Sequence, residues 1–176
     1  MMEMLLNLDG NILLWIQEYL RNDFLTPIMI FVTSLGNAGI IWILITVLLL
    51  LSKKTRKVGI LSVCALLGSL LINNMILKNL VARVRPYEVV NGLHLLIEKQ
   101  VDWSFPSGHT GSSFASAVVL YRNLPRKYGV LALVLAALIA FSRLYVGVHY
   151  PTDVLVAVIT GSVIGIIVDK IEKRFS

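Results

Sequence analysis

The sequence predicts an all-α integral membrane protein, with five or six transmembrane helices in one bundle and an amphipathic N-terminal interfacial helix. Three observations predict it. Hydrophobic residues fill 57% of the 176 positions and charged residues only 15%, where a soluble domain carries about a quarter. The apolar residues gather into runs bounded by charge or by Gly and Pro. The basic residues gather between those runs rather than inside them.

Leu8, Ile12, Leu13, Trp15, Ile16 and Tyr19 recur at near-helical spacing, so residues 8–20 read as a helix lying in the membrane interface. Glu3, Asp9, Glu18 and Asp23 against Arg21 give this stretch an acidic balance that suits translocation. It lacks the basic start of a cleavable signal peptide, so insertion is expected to rely on internal spans. Residues 25–35 are apolar after Thr26-Pro27 and are interrupted at Leu35-Gly36-Asn37. They form either a short re-entrant helix or the first part of a long broken span, and that choice separates five crossings from six. Further spans are expected at about 38–52, 58–77, 108–121, 127–146 and 152–169. Several fall short of the ~20 apolar residues that a lipid-facing helix needs. Their flanking polar residues then lie at membrane depth, where polar groups tend to be functional.

Three basic clusters set the topology: Lys53, Lys54, Arg56 and Lys57; Arg122, Arg126 and Lys127; Lys170, Lys173 and Arg174. With these spans all three fall on one face, which the positive-inside rule makes cytoplasmic. The net charge of +6 is thereby explained as a topology signal, and nucleic-acid binding loses its support. The chain reads as a single domain, 1–176. Residues 1–37 form an outward-facing N-terminal segment, 38–169 the bundle and 170–176 a cytoplasmic tail. The single cysteine, Cys64, has no intramolecular partner and says nothing about compartment.

The outward face collects three unusual segments. Lys78 and Arg85-Pro86 are seven residues apart, so on a helix the two cations point to one side. Either alone is better explained as a snorkelling cation. Pro106-Ser107-Gly108-His109 stands just before an apolar run, where unpaired N–H groups at a helix start bind anions and place His109 beside them. A plain helix cap with an interfacial histidine explains that segment equally well. Ser142-Arg143 precedes His149-Tyr150-Pro151-Thr152-Asp153, in which a carboxylate four residues after a histidine can fix its tautomer. Arg143 is costly at the end of an apolar helix unless it meets an anion. Together the segments bring three cations, two histidines and one carboxylate to one membrane face, a set suited to a phosphoryl group.

This set resembles the type 2 phosphatidic acid phosphatase family, which shares its phosphate-binding core with vanadium haloperoxidases. The family pattern of K-x6-RP, PSGH and SR-x5-H-x3-D is present without a departure across residues 78–153. The helical frame and short loops also resemble the small bacterial members. The resemblance implies a lipid phosphatase in which His149 attacks phosphorus, Asp153 orients it, and His109 protonates the leaving oxygen and then activates water. It implies that Lys78, Arg85, Ser107, Gly108 and Arg143 hold the phosphoryl oxygens. It implies neither a cofactor nor a metal, and the scattered carboxylates of the outward face agree.

The expected substrate is undecaprenyl pyrophosphate at the outer face of the plasma membrane, with phosphatidylglycerol phosphate and phosphatidic acid as alternatives. A lipid phosphotransferase using the same site and a non-catalytic transport or scaffold protein are the competing classes. His94, Arg83, Asn73, Asn74, Tyr87, Trp103, Glu88, Glu98 and Asp102 are assigned no role in the chemistry. Arg83 in particular is expected to face lipid headgroups.

Overall fold

A computed structural model describes the backbone of residues 2–175 and the side chains of residues 6–175. Glu3, part of the acidic balance above, and the terminal Met1 and Ser176 lie outside the described side chains. Outside its turns and one long loop the described chain is helical, as its long apolar runs require once backbone groups cannot be given to water. Helix α1 covers Met2–Tyr19, α2 Leu25–Leu35 and α3 Ile40–Leu51; a 3₁₀ turn at Asn37–Gly39 joins the last two. Helix α4, Arg56–Ser69, runs on through a π-helical stretch, Leu70–Leu77, into the short α5, Lys78–Val81. A single turn, α6, Pro86–Val89, opens the long outer loop. Helices α7, Gly108–Asn123, α8, Arg126–Tyr145, and α9, Pro151–Phe175, complete the bundle.

Helix α7 is the inner element, packed on α4, α8 and α9. Small residues permit this. A Cβ on Gly161 would collide with the Gly111 carbonyl, and one on Gly165 would stand 2.7 Å from the Ala115 carbonyl. Such backbone contact is how helices gain packing energy where lipid supplies no hydrophobic drive. Polar side chains on the inner faces satisfy one another. Trp42 Nε1 donates to Ser113 Oγ at 2.8 Å, and the hydroxyls of Thr46, Ser62 and Ser116 form a chain with steps of 2.6 and 2.8 Å. Leu44, Leu48, Leu131, Leu155 and Ile159 are exposed on the outside, as a lipid-facing surface demands.

The number of spans is smaller than the sequence predicts. Among the described residues three helices are long and apolar enough to cross a membrane: Arg56–Val89, Arg126–Tyr145 and Pro151–Phe175. A fourth is reached only by counting α2 and the segment Asn37–Leu51 as one broken span, bent by 52°. The protein is therefore a multi-pass membrane protein of three or at most four such helices, not five or six. Two features misled the count. The run at 108–121 is an inner helix of 16 residues whose buried face is largely Thr110, Gly111, Ser113, Ala115, Ser116 and Ala117. The runs at 25–35 and 38–52 belong to one bent pair, because Ala38 and Gly39 take left-handed conformations, with φ of 50° and 70°. Hydropathy registers an apolar run. It does not register which neighbours cover it.

The N-terminal helix also differs in detail. It begins before residue 8, and it buries Leu13, Ile16 and, less expectedly, Asp9, while Trp15 and Tyr19 stay exposed. At the opposite end residues 170–175 continue α9 rather than forming a separate tail. There Arg122 and Lys173 meet the buried Asp169, and Lys57 pairs with Glu172, so members of all three basic clusters share one end of the bundle.

Candidate active site

The other end of the bundle holds the polar residues. The π-helical stretch delivers Lys78 to the end of α4, and Asn73 within it is buried, donating to Ser69 Oγ and accepting from Thr160 Oγ1 at 2.8 Å. Insertions of this type re-aim the residues that follow them. The helix then stops. Ala82 turns left-handed, with φ of 47°, and Arg85 is extended before Pro86. Lys78 and Arg85 therefore do not share a helix face, as their spacing suggested. They converge because a loop brings Arg85 back, and both meet one carboxylate: Asp102 Oδ2 lies 2.5 Å from Lys78 Nζ and Oδ1 lies 2.5 Å from Arg85 Nη2.

Arg85 is the most committed cation. Its Nε donates to the Asp102 carbonyl and its Nη1 to the Val148 carbonyl, at 2.8 and 2.7 Å. Nη1 also approaches His149 Nε2 at 3.4 Å. Arg143 is the open one: Nη1 donates to Thr33 Oγ1 at 2.7 Å, while its buried Nε has no partner among the described residues. An orphaned guanidinium donor this deep calls for an anion.

Ser107 caps α7, its hydroxyl accepting from the Thr110 amide and hydroxyl. His109, in the first turn of α7, is held by Asn37, whose Oδ1 lies 3.0 Å from Nε2. Gly36 lets the imidazole pass, since a Cβ there would stand 2.5 Å from His109 Cδ2. Gly147, with φ of 83°, turns the chain after α8 and sets His149 just before Pro151, the first residue of α9. His149 and Asp153 are buried, with Nδ1 and Oδ2 3.6 Å apart. That is beyond a hydrogen bond but within reach of a small ring rotation. An arginine donor facing Nε2 makes that nitrogen the acceptor, which leaves the proton on Nδ1, toward Asp153. Burial above all, with Arg85 and Arg143 close by, pushes the His149 imidazole down to about 3 against the pull of Asp153, so it is neutral. The Asp102 carboxyl, which partial burial alone would raise, is held at about 2 by Lys78 and Arg85.

Lys78, Arg85, Gly108, His109, Arg143 and His149 line one cavity of about 560 Å³, and Ser107 and Asp153 stand behind it. The cavity continues between α3 and α4 along Ile43, Val47, Leu50, Val63, Leu66 and Leu70. No group of three or more His, Cys, Asp or Glu side chains able to hold a metal ion occurs among the described residues. Sequence reading missed Asp102, Asn37 and Gln100 at the cavity edge, and Arg83, Asp9 and Ser104 behind Asp153. Only Asp9 left a trace, as a carboxylate inside an apolar helical run.

A family model described as the PAP2 superfamily matches residues 58–175. The undecaprenyl-diphosphatase of Sulfolobus acidocaldarius is 36% identical over 149 residues, covering 85% of this chain and 71% of that protein. The undecaprenyl-diphosphatase BcrC of Bacillus subtilis is 34% identical over 146 residues, covering 82% and 74%. Among solved structures, a transmembrane PAP2-type phosphatidylglycerolphosphate phosphatase from Bacillus subtilis superimposes with a TM-score of 0.79 at 26% identity, over 97% of this chain and 87% of that one.

Proposed function

The chain belongs to the PAP2 superfamily, a membrane hydrolase acting on phosphate or diphosphate esters of lipids, and on that premise we propose that it is an undecaprenyl-diphosphate phosphatase working through a phosphohistidine. The observation that carries the reading is the shape of the cavity. Its polar end gathers three cations and two histidines, and its other end runs between apolar faces of α3 and α4. A phosphate headgroup fits the first and a long hydrocarbon tail the second.

In the proposed reaction His149 Nε2 attacks the terminal phosphorus while the bond from phosphorus to the bridging oxygen breaks. His109 gives that oxygen a proton, and the lipid leaves as the monophosphate. Water, deprotonated by His109, then attacks the phosphohistidine, releasing inorganic phosphate and restoring both imidazoles. Arg143, Lys78 and Arg85, with Ser107 and the Gly108 amide, stabilise charge on the equatorial oxygens. Asp153 holds the Nδ1 proton and balances the positive imidazole ring of the intermediate. Members of the three basic clusters lie at the far end of the bundle, which under the positive-inside rule supports an extracytoplasmic site at the plasma membrane.

A phosphatidylglycerol phosphate phosphatase is the second reading, supported by the structural likeness over nearly the whole chain. Purified protein assayed on undecaprenyl diphosphate, phosphatidylglycerol phosphate and phosphatidic acid separates the two by kcat/KM. The diphosphate is expected to lead. Phosphate release without an acceptor lipid excludes a phosphotransferase. Cysteine labelling from outside, with Cys64 removed, is expected to modify a position near Asn91 and spare one near Lys54; the reverse would overturn the orientation.

A further inference from the structure

We propose that Asp9 and Arg83 are positioning residues for the His149–Asp153 pair, which makes the N-terminal helix part of the catalytic apparatus. The inference rests on the reading of His149 as nucleophile given above. Arg83 does not face outward as an isolated cation. Its Nη1 donates to Asp153 Oδ1 and to Thr152 Oγ1, both at 2.7 Å, and its Nη2 donates to Asp9 Oδ2 at 2.8 Å. The guanidinium lies over the Tyr150 ring, 3.7 Å from its centre. Asp9 completes the frame by accepting from the Thr152 amide at 3.1 Å and from its hydroxyl at 2.5 Å.

This frame settles which oxygen of Asp153 meets the imidazole. Oδ1 is taken by Arg83, so Oδ2, which accepts from Ser104 Oγ and the Tyr150 amide at 2.5 and 2.9 Å, is the oxygen facing His149 Nδ1. A carboxylate fixed at both oxygens cannot rotate away from the ring. A guanidinium forked between two carboxylates is a rigid holder, which a lysine would not reproduce.

Charge explains why a second carboxylate is needed. Arg83 alone would neutralise Asp153, leaving nothing to balance the positive ring that forms when His149 bonds to phosphorus. Two carboxylates and one guanidinium leave one net negative charge. Asp9 is 2% exposed and Asp153 fully buried, so that charge is weakly screened. Arg83 is not a further phosphate ligand, because it sits on the far side of Asp153 and does not line the cavity. Asp9 comes from outside the segment that matches the family model, residues 58–175. The support for a motif residue is thus supplied by a part of the chain that the motif does not include.

The test uses the full chain in detergent with Asp9→Asn, Asp9→Glu, Arg83→Lys and Arg83→Gln, assayed on undecaprenyl diphosphate and on phosphatidic acid. Inhibition by inorganic phosphate reports the cation site, and thermal unfolding reports folding. For Asp9→Asn and Arg83→Lys we expect kcat to fall about tenfold or more, with KM and the phosphate inhibition constant within about twofold of wild type. Asp9→Glu is expected to recover at least half of the lost rate, and Arg83→Gln to lose more than Arg83→Lys. If Arg83→Gln does not fold, because it leaves two buried carboxylates without a counter-charge, Arg83→Lys and Asp9→Asn decide. Folded variants with wild-type kcat would overturn the proposal. A parallel loss of kcat, phosphate inhibition and thermal stability would also overturn it, by showing a merely structural role. His149→Ala in the same assay keeps the two ideas apart: wild-type turnover there would remove the nucleophile reading itself, whatever Asp9 and Arg83 do.

Discussion

Helix α9 buries an aspartate near each end, and the two are used differently. Asp153, at the N-terminal end, is fully buried and receives Arg83, Ser104 and the Tyr150 amide. Asp169, near the C-terminal end, is equally covered and receives Arg122, Asn123 and Lys173 at 2.6, 2.8 and 3.0 Å. By residue type, burial and ion pairing the two are near twins. What separates them is the next shell outward. Beyond Asp169 stand partners that themselves reach water, since Arg122 and Lys173 are 35% and 52% exposed. Beyond Asp153 stand a buried imidazole whose Nδ1 has no hydrogen-bond partner among the described residues, and then a cavity lined by three cations. A salt-bridged buried acid therefore says little by itself. Chemistry is indicated where its remaining neighbour has a capacity left unused.

That contrast breaks most visibly at Asp153. Asp153→Asn keeps the shape but presents the wrong hydrogen-bonding partner to Nδ1, and kcat for lipid phosphate release is expected to drop about 10²- to 10⁴-fold. A loss under fivefold would make Asp153 the structural twin of Asp169. Asp102→Asn sharpens the picture at the cavity. Its carboxylate occupies donors of Lys78 and Arg85, and it is half exposed. Its removal is expected to tighten inhibition by inorganic phosphate about three- to tenfold.

Asp169→Asn is the reverse case. We expect kcat within about twofold of wild type and a stability loss of about 1–3 kcal/mol, read as a lower thermal midpoint, because two partly exposed cations lose their counter-ion. A further effect concerns pH. An unfolded histidine takes up a proton as pH falls through about 6.5, while folded His149 resists until about 3. The unfolded state then binds the extra proton, so the contribution of His149 to stability is complete above about 6.5 and is lost as pH falls toward 3. The thermal midpoint of the wild type should fall more steeply between about pH 7 and pH 4 than that of His149→Asn, by about 6–12 °C.

Legibility in the sequence followed a physical line. Lys78, Arg85, His109, Arg143 and His149, which the fold brings to one cavity, were readable as motif residues because short spacings within three blocks tie them together. Asp102, Asn37, Asp9 and Arg83 were not. Asp102 and Asn37 come from a loop and a helix break, and Asp9 from a helix more than seventy residues before Arg83 in the chain. An acidic residue on an amphipathic helix reads as solvated until its partner is seen. The helical convergence assigned to Lys78 and Arg85 gave the right destination by the wrong route, because Ala82 ends the helix between them.

By itself, then, the sequence determined that this is a helical membrane protein and which residues form its three motif blocks, since composition, charge placement and local spacing are properties of the chain alone. The tertiary structure decided how many helices are long and apolar enough to cross, because that depends on where helices bend and what covers them. It also decided which oxygen of Asp153 faces His149, because side-chain direction is fixed only by packing between segments distant in the chain.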